Sequence, residues 1–143
     1  MLFIKRDQKI DRLKNVPMFS NLNKRQLAEL AKHAQSVAIK AGEVLVEQGS
    51  QGWEFLFIME GKAKVLKNGK AIRQLTSGDF FGEISLIDRE PRTASVIADT
   101  DMTLLVVDTR SFDHLLETIP GLQKRVMFAL CGYVRRAEKL AVM

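Results

Sequence analysis

The sequence predicts a mainly β domain with helices at both ends. Between residues 37 and 107, short apolar or β-branched runs alternate with turns that contain glycine or aspartate, a pattern typical of strands. Before and after this stretch, the apolar residues follow helical spacing instead. With 143 residues, the chain is long enough for one domain with its own core.

The N-terminal part is predicted to be helical over residues 10–34. Asn23 is a suitable N-cap, because Gln26 follows three residues later and completes a capping box. The apolar residues that follow at helical spacing are Leu27, Leu30, Ala31 and Ala34. This lead-in is expected to pack against the β part through that apolar face.

Seven strands are predicted in the central part. They cover residues 37–39, 44–46, 55–59, 63–66, 71–75, 95–98 and 103–107. Asn68 and Gly69 lie between two of these runs and favour a tight hairpin turn. Seven or eight short strands indicate a sandwich or an open barrel.

Two helices are predicted after the strands. The first covers about residues 111–119 with Asp108 or Thr109 as its cap, and Pro120 suits the first turn of the second. The second helix carries a heptad-like apolar stripe at alternating spacings of four and three, formed by Val126, Leu130, Tyr133, Ala137 and Leu140.

Composition excludes several classes of function. The net charge is +5, but the basic residues are scattered and do not alternate with aromatic ones, so binding of nucleic acid or of a membrane is not expected. No signal peptide or membrane-length apolar run is present, and Cys131 is the single cysteine, which together favour a cytoplasmic protein. His33 and His114 lie in different predicted helices, so no metal site or metalloenzyme is predicted.

The segment from residue 80 to residue 96 carries the clearest functional signal. Glu83 follows Gly82 and can accept hydrogen bonds from sugar hydroxyls, while Arg92 follows Pro91 and offers a planar fork of donors that suits a phosphate. A helical turn that starts at Gly82 would leave the N–H groups of Ile84 and Ser85 free for an anion. This combination suits a small ligand with a phosphate and a ribose.

This segment resembles the phosphate-binding cassette of the cyclic nucleotide-binding domain family. The family pattern is Phe-Gly-Glu-x-x-Leu, a short gap, then Pro-Arg-x-Ala-x-Val, and it is matched by Phe81, Gly82, Glu83, Leu86, Pro91, Arg92, Ala94 and Val96. The resemblance covers the chain from about residue 12 to its end. It implies that Glu83 binds the ribose 2′-hydroxyl and that Arg92 binds the cyclic phosphate.

The resemblance also implies a fold and its boundaries. The expected fold is an eight-stranded β-roll, a jelly-roll-like barrel, with an N-terminal helix and two C-terminal helices. One domain, 1–143, would consist of a helical lead-in (1–36), the β-roll (37–108, with the cassette at 80–96) and the C-terminal helices (109–143).

The resemblance implies further site residues, and for three of them a structural role is equally open. Ala94 would let the backbone approach the phosphate, and Thr93 suits either a strand or a ligand contact, including one to the guanine of cGMP. Val65 matches a family position that packs on the base, but it also suits the barrel lining. Tyr133 either covers the base or packs in a dimer seam or against the barrel.

The sequence therefore predicts a non-catalytic sensor of a 3′,5′-cyclic nucleotide, cAMP rather than cGMP, without a cofactor. Binding would move the C-terminal helix, an unidentified effector protein would read that movement, and a homodimer could form through the same helix. The alternatives are an interaction scaffold with a vestigial pocket, or a regulatory fragment of a larger transcription factor, channel or kinase.

Overall fold

A computed structural model of the protein describes residues 4–142. The helices are α1 (Arg6–Lys14), α2 (Lys24–His33), α3 (Ser85–Asp88), α4 (Thr109–Thr118) and α5 (Leu122–Val142), with a 3₁₀ turn at Pro17–Phe19. The strands are β1 (Gln35–Ile39), β2 (Val44–Val46), β3 (Glu54–Glu60), β4 (Ala63–Lys67), β5 (Lys70–Leu75), β6 (Phe80–Phe81), β7 (Ser95–Ala98) and β8 (Met102–Asp108).

The eight strands form two antiparallel sheets of four strands each. Their orders are β1-β8-β3-β6 and β2-β7-β4-β5. The mainly β class with flanking helices is thus confirmed, but the sheets do not join into a closed barrel. Strand β6 has two residues, too few for an alternating pattern, and it was not among the seven predicted runs.

The predicted N-terminal helix is wrong as a single element, because the chain forms two helices separated by the 3₁₀ turn. Pro17 lacks an N–H and disfavours helical geometry in the residue before it, so α1 ends before Pro17. The predicted cap at Asn23 is confirmed: its side chain accepts from the Gln26 N–H at 2.8 Å, and the Gln26 side chain accepts from the Asn23 N–H at 2.9 Å.

Strand β3 is buried on both of its faces, which places it at the centre of the fold. Phe55 and Phe57 join the core formed with the helices, whereas Leu56 and Ile58 join the core between the two sheets. Side chains alternate along a strand, so a continuous apolar run can serve two cores at once. The β3 backbone is therefore a fixed base for the neighbouring cassette.

The predicted hairpin at Asn68 and Gly69 is confirmed between β4 and β5. Both residues have positive φ, 52° and 81°, as a type I′ turn requires. The β part begins at Gln35, two residues before the expected boundary, because β1 pairs with β8 from its first residue onward.

The C-terminal region contains the two expected helices. Asp108 caps α4 by accepting from the Ser111 N–H at 2.7 Å, whereas Pro120 lies before α5 rather than in its first turn. The predicted stripe changes surroundings along α5: Val126 is buried, Leu130 and Tyr133 are half-buried against the helical core, and the rest is exposed. No helix within residues 4–142 is both long and apolar enough to cross a bilayer.

Candidate functional site

The cassette begins with a sharp turn at Gly82, directly after β6. Gly82 has φ +84°, a conformation that favours glycine, and a Cβ atom here would collide with the Arg92 guanidinium and the Glu54 carbonyl oxygen. The chain then forms the single turn α3 and leaves it through Arg89 in the left-handed conformation. Gly82 therefore lets the backbone pass directly over the side chain of Arg92.

Arg92 is fixed by both its backbone and its side chain. Its N–H donates to the Ser50 carbonyl at 2.7 Å, and its own carbonyl accepts from the Gly49 N–H at 2.8 Å. Its Nη2 donates to the Glu54 carbonyl at 2.5 Å. Burial lowers the pKa of Arg92 from its ordinary value, and the negative charge of Glu54 partly opposes that shift. A guanidinium held in this way remains a cation and is oriented before a ligand arrives.

Glu83 contacts the C-terminal helix rather than Arg92. Its Oε2 accepts a hydrogen bond from the Tyr133 hydroxyl at 3.1 Å. No ion pair joins Glu83 and Arg92 within the described part of the chain. A carboxylate has two oxygens with two lone pairs each, so Oε1 retains its capacity to accept from a ligand hydroxyl.

Near these two side chains, four of the backbone N–H groups without a protein acceptor within residues 4–142 lie on either side of the gap in the cassette pattern. They belong to Ile84, Ser85, Thr93 and Ala94. The first two lie at the start of α3, where helical geometry leaves N–H groups unpaired. The other two precede β7 and lie just after Arg92. Such a row of donors beside a guanidinium suits an anion.

These groups surround one cavity of about 500 Å³. Eight of the nine predicted site residues line it, namely Val65, Gly82, Glu83, Ile84, Ser85, Arg92, Thr93 and Ala94. Its polar side is the cassette, and its apolar side is formed by β2, β4, β5 and β7 of the second sheet through Val46, Val65, Leu75 and Val96. The volume is within the range of small-molecule sites.

Tyr133, the ninth predicted residue, lies outside the lining and reaches the site only through Glu83. It packs partly buried against the helical core, and the Arg136 guanidinium lies 4.9 Å from its ring centroid. Burial, followed by the charge and the hydrogen bond of Glu83, raises the pKa of Tyr133 from its ordinary value. The hydroxyl is therefore protonated and donates, which links α5 to the cassette.

Several site residues were missed from the sequence. Glu54 holds Arg92 through its backbone carbonyl, and a backbone group gives no residue-specific signal in the sequence. Gly52 is needed because a Cβ atom at this position would lie 2.6 Å from Ser85 Oγ. Ile72 and Arg73 enter the cavity lining because β5 pairs with β4 across the hairpin. The β4–β5 hairpin signal could have suggested these two. No cluster of metal ligands occurs within the described residues.

Comparisons with known proteins agree with this geometry. The family model "Cyclic nucleotide-binding domain" matches residues 36–119. A cAMP-dependent protein kinase regulatory subunit from Schizosaccharomyces pombe is 41% identical over 105 residues, which are 73% of this chain and 26% of that protein. A cGMP-dependent protein kinase from Toxoplasma gondii is 34% identical over 73% of this chain and 11% of its own length. The chain thus spans about a quarter of the first relative and about a tenth of the second.

Solved structures show the same likeness. The N-terminal domain of a transcriptional regulator from Streptomyces coelicolor superposes with a TM-score of 0.82 at 27% identity, covering 90% of this chain and 96% of that one. A cAMP-bound structure of PfPKA-R has a TM-score of 0.68 at 26% identity, covering 96% of this chain and 48% of that one. The chain belongs to the cyclic nucleotide-binding domain family.

Proposed function

We propose that this chain is a non-catalytic sensor that binds cAMP in preference to cGMP and transmits binding through α5. The observation that carries the proposal is the cavity of about 500 Å³ in which Arg92, Glu83 and four unpaired N–H groups converge. A cyclic phosphate carries one negative charge shared by two exocyclic oxygens, and both oxygens accept hydrogen bonds from such donors. A ribose hydroxyl requires an acceptor, and Glu83 supplies one.

The ligand would lie with its phosphate against Arg92 and the N–H groups of the cassette. Its ribose would face Oε1 of Glu83, and its base would extend toward the apolar wall that contains Val65. The placement is supported by the lining of the cavity, which includes Glu83, Arg92 and Val65 together. The roles of all nine predicted residues are part of this proposal.

Coupling to α5 would run through Glu83. One of its oxygens accepts from Tyr133 while the other remains free for the ribose, so a single carboxylate would contact both the ligand and the helix. A ligand donor on Oε1 draws charge from the carboxylate and changes its hydrogen bond to Tyr133. A ligand shifts an equilibrium between helix positions only by such differential contacts.

The proposed preference for cAMP over cGMP rests on the similarity to cAMP-dependent and cGMP-dependent kinases. The relative at 41% identity is a regulatory subunit of a cAMP-dependent kinase, and the cGMP-dependent kinase is less similar at 34%. Thr93 is exposed at the cavity and offers a hydroxyl that a guanine 2-amino group could use. We therefore infer that cGMP also binds, but more weakly.

The effector that reads α5 would be a separate protein or segment. The regulatory-subunit relatives favour a protein kinase catalytic subunit as that effector. A homodimer through α5 is a second possible readout, supported by the exposed apolar residues in its C-terminal half. Light scattering with and without cAMP separates the two: a kinase-directed module stays monomeric, and a dimeric sensor changes mass.

The direct test is calorimetric titration of the chain with cAMP, cGMP and 5′-AMP. We expect cAMP to bind most tightly, cGMP next, and the acyclic nucleotide weakly, because its phosphate has another shape and charge. Hydrogen exchange tests the coupling: amides of residues 82–94 and of about residues 126–140 should both gain protection. Absence of cAMP binding would refute the sensor, and protection confined to residues 82–94 would refute coupling through α5.

A further inference from the structure

The C-terminal region holds most of the excess charge of the chain. Residues 120–143 contain five basic residues and one acidic residue, Glu138, so they contribute +4 of the net charge of +5. The basic residues are Lys124, Arg125, Arg135, Arg136 and Lys139. The preceding 119 residues are nearly balanced, with 17 basic and 16 acidic residues. The charge asymmetry therefore coincides with α5.

One side of α5 combines these charges with exposed apolar side chains. Met127 is 64% exposed, Phe128 61% and Val134 58%, although residues of these types are usually buried. With 3.6 residues per turn, the exposed residues that occupy one sector of about 140° form what we call the outer face: Lys124, Met127, Phe128, Cys131, Val134, Arg135, Glu138 and Lys139. Three of them are basic and Glu138 is acidic. The buried Leu122, Val126 and Ala129 lie on the opposite side.

A surface cavity extends the outer face at its N-terminal end. It measures about 400 Å³ and is lined by Asn21, Lys124, Arg125 and Phe128. Arg125 Nη1 donates to the Asn21 carbonyl at 3.1 Å, which holds the loop before α2 against α5. The exposed Lys24 and Arg25 follow in the first turn of α2. The cavity is therefore basic, with one aromatic wall.

We propose that the outer face of α5 lies on an anionic lipid surface. An exposed helix with basic residues beside a stripe of apolar residues is the pattern of helices that lie in the membrane interface. Phe128, Met127 and Val134 would enter the boundary between headgroups and acyl chains, the basic residues would contact lipid phosphates, and the cavity at Lys124 would receive one headgroup.

Charge complementarity distinguishes this partner from a second copy of the chain. Pairing two outer faces would bring together two surfaces that each carry three basic residues and one acidic residue, whereas an anionic surface neutralises the excess positive charge. No residue of the described part of α5 beyond Ala129 is buried, so the helix presents a convex surface that suits a flat bilayer. From the sequence, no membrane partner was expected because the basic residues are scattered along the chain as a whole. The structure instead places three of them beside exposed apolar side chains on one side of α5.

The proposal does not depend on the nucleotide site. Tyr133 and its hydrogen bond to Glu83 lie on the inner side of α5, away from the outer face. Substitutions on the outer face should therefore leave cAMP binding unchanged. Failure of lipid binding would not affect the sensor, and failure of cAMP binding would not affect the lipid surface.

Vesicle co-sedimentation of the full chain provides the test. We expect binding to phosphatidylcholine vesicles with about 30% phosphatidylserine, and none to phosphatidylcholine alone. Raising NaCl from about 0.1 M to about 1 M should abolish binding, because the screening length falls from about 10 Å to about 3 Å. Phe128→Ser should weaken binding at constant charge, which a purely electrostatic contact would not show.

Matched charge variants make the test specific. The triple variant Lys124→Gln, Arg135→Gln and Lys139→Gln should lower the partition coefficient roughly 100-fold, at about fivefold per basic group. The control triple variant Lys40→Gln, Lys67→Gln and Lys70→Gln removes the same charge from exposed positions in the β part and should bind like wild type.

Three results would overturn the proposal. Equal binding to neutral and anionic vesicles would show that charge plays no role. An equal loss of vesicle binding in both triple variants would show that only the net charge matters and not the position of the basic residues on α5. A dimer in light scattering that Phe128→Ser dissociates, without affinity for vesicles, would assign the outer face to a second copy instead. Preserved circular dichroism and cAMP-induced thermal shift in each variant would show that the fold is intact.

Discussion

Replacing Arg92 by alanine is the sharpest test of the site. The side chain lines the cavity, is half-buried and is held by its hydrogen bond to the Glu54 carbonyl. The unpaired N–H groups of Thr93 and Ala94 follow it directly in sequence and line the same cavity. Its removal should therefore weaken recognition of the phosphate and leave the apolar wall intact.

The expected magnitude follows from the contact that is lost. A hydrogen bond to a charged group contributes roughly 1.5–3 kcal/mol, which corresponds to roughly 10- to 150-fold in the dissociation constant for cAMP. The bond to Glu54 is lost as well, so the free energy of unfolding should fall by about 1 kcal/mol. The effect on binding should thus exceed the effect on folding.

The chain offers a matched control three residues earlier. Arg89 is exposed, forms an ion pair with Asp113 of α4 and does not line the cavity. Calorimetric titration with cAMP and urea unfolding should be measured for Arg92→Ala and Arg89→Ala side by side. We expect normal affinity in Arg89→Ala. Equal affinities in Arg92→Ala and wild type would refute the phosphate role.

Three further predictions concern the ribose, the base and the helix. Wild type should bind 2′-deoxy-cAMP more weakly than cAMP by about 1–3 kcal/mol, and titrations should find no such difference in Glu83→Ala; a retained difference would contradict the ribose role. Thr93→Ala should lower affinity for cGMP and spare that for cAMP, and equal losses would assign Thr93 to the phosphate. Tyr133→Phe removes only the hydroxyl that donates a hydrogen bond to Glu83. It should speed cAMP release in stopped flow, and an unchanged rate would exclude this bond from coupling.

The sequence was most informative where a local rule determines the structure. The capping box at Asn23, a cap at Asp108 or Thr109 and a tight hairpin turn at Asn68 and Gly69 follow from the sequence, because each depends on residues within three positions of one another. Eight of the cavity-lining residues were found from the sequence, because seven of them belong to one continuous segment that matches a family pattern.

Contacts between distant segments could not be predicted. Glu54 binds Arg92 through a carbonyl 38 positions away, and any residue type could provide that carbonyl. The break between α1 and α2 was also missed, although Pro17 signals it, because the helical spacing after Asn23 was extended backward across it. The stripe on α5 has the predicted spacing, but the spacing does not show how far it is covered: Val126, Leu130 and Tyr133 meet the core, whereas Ala137 and Leu140 are exposed.

The contact between Glu83 and Tyr133 connects residues 50 positions apart and gives α5 two distinct sides. The inner side reaches the cassette through this hydrogen bond, and the outer side carries the exposed apolar residues and most of the excess charge. A helix that contacts two partners on opposite sides couples their binding affinities if the helix can move between two positions that each partner favours differently. Thermodynamic linkage then requires that lipid change the affinity for cAMP by the same factor as cAMP changes the affinity for lipid. A fixed helix would bind both partners independently, so the size of that factor measures how far α5 acts as a switch.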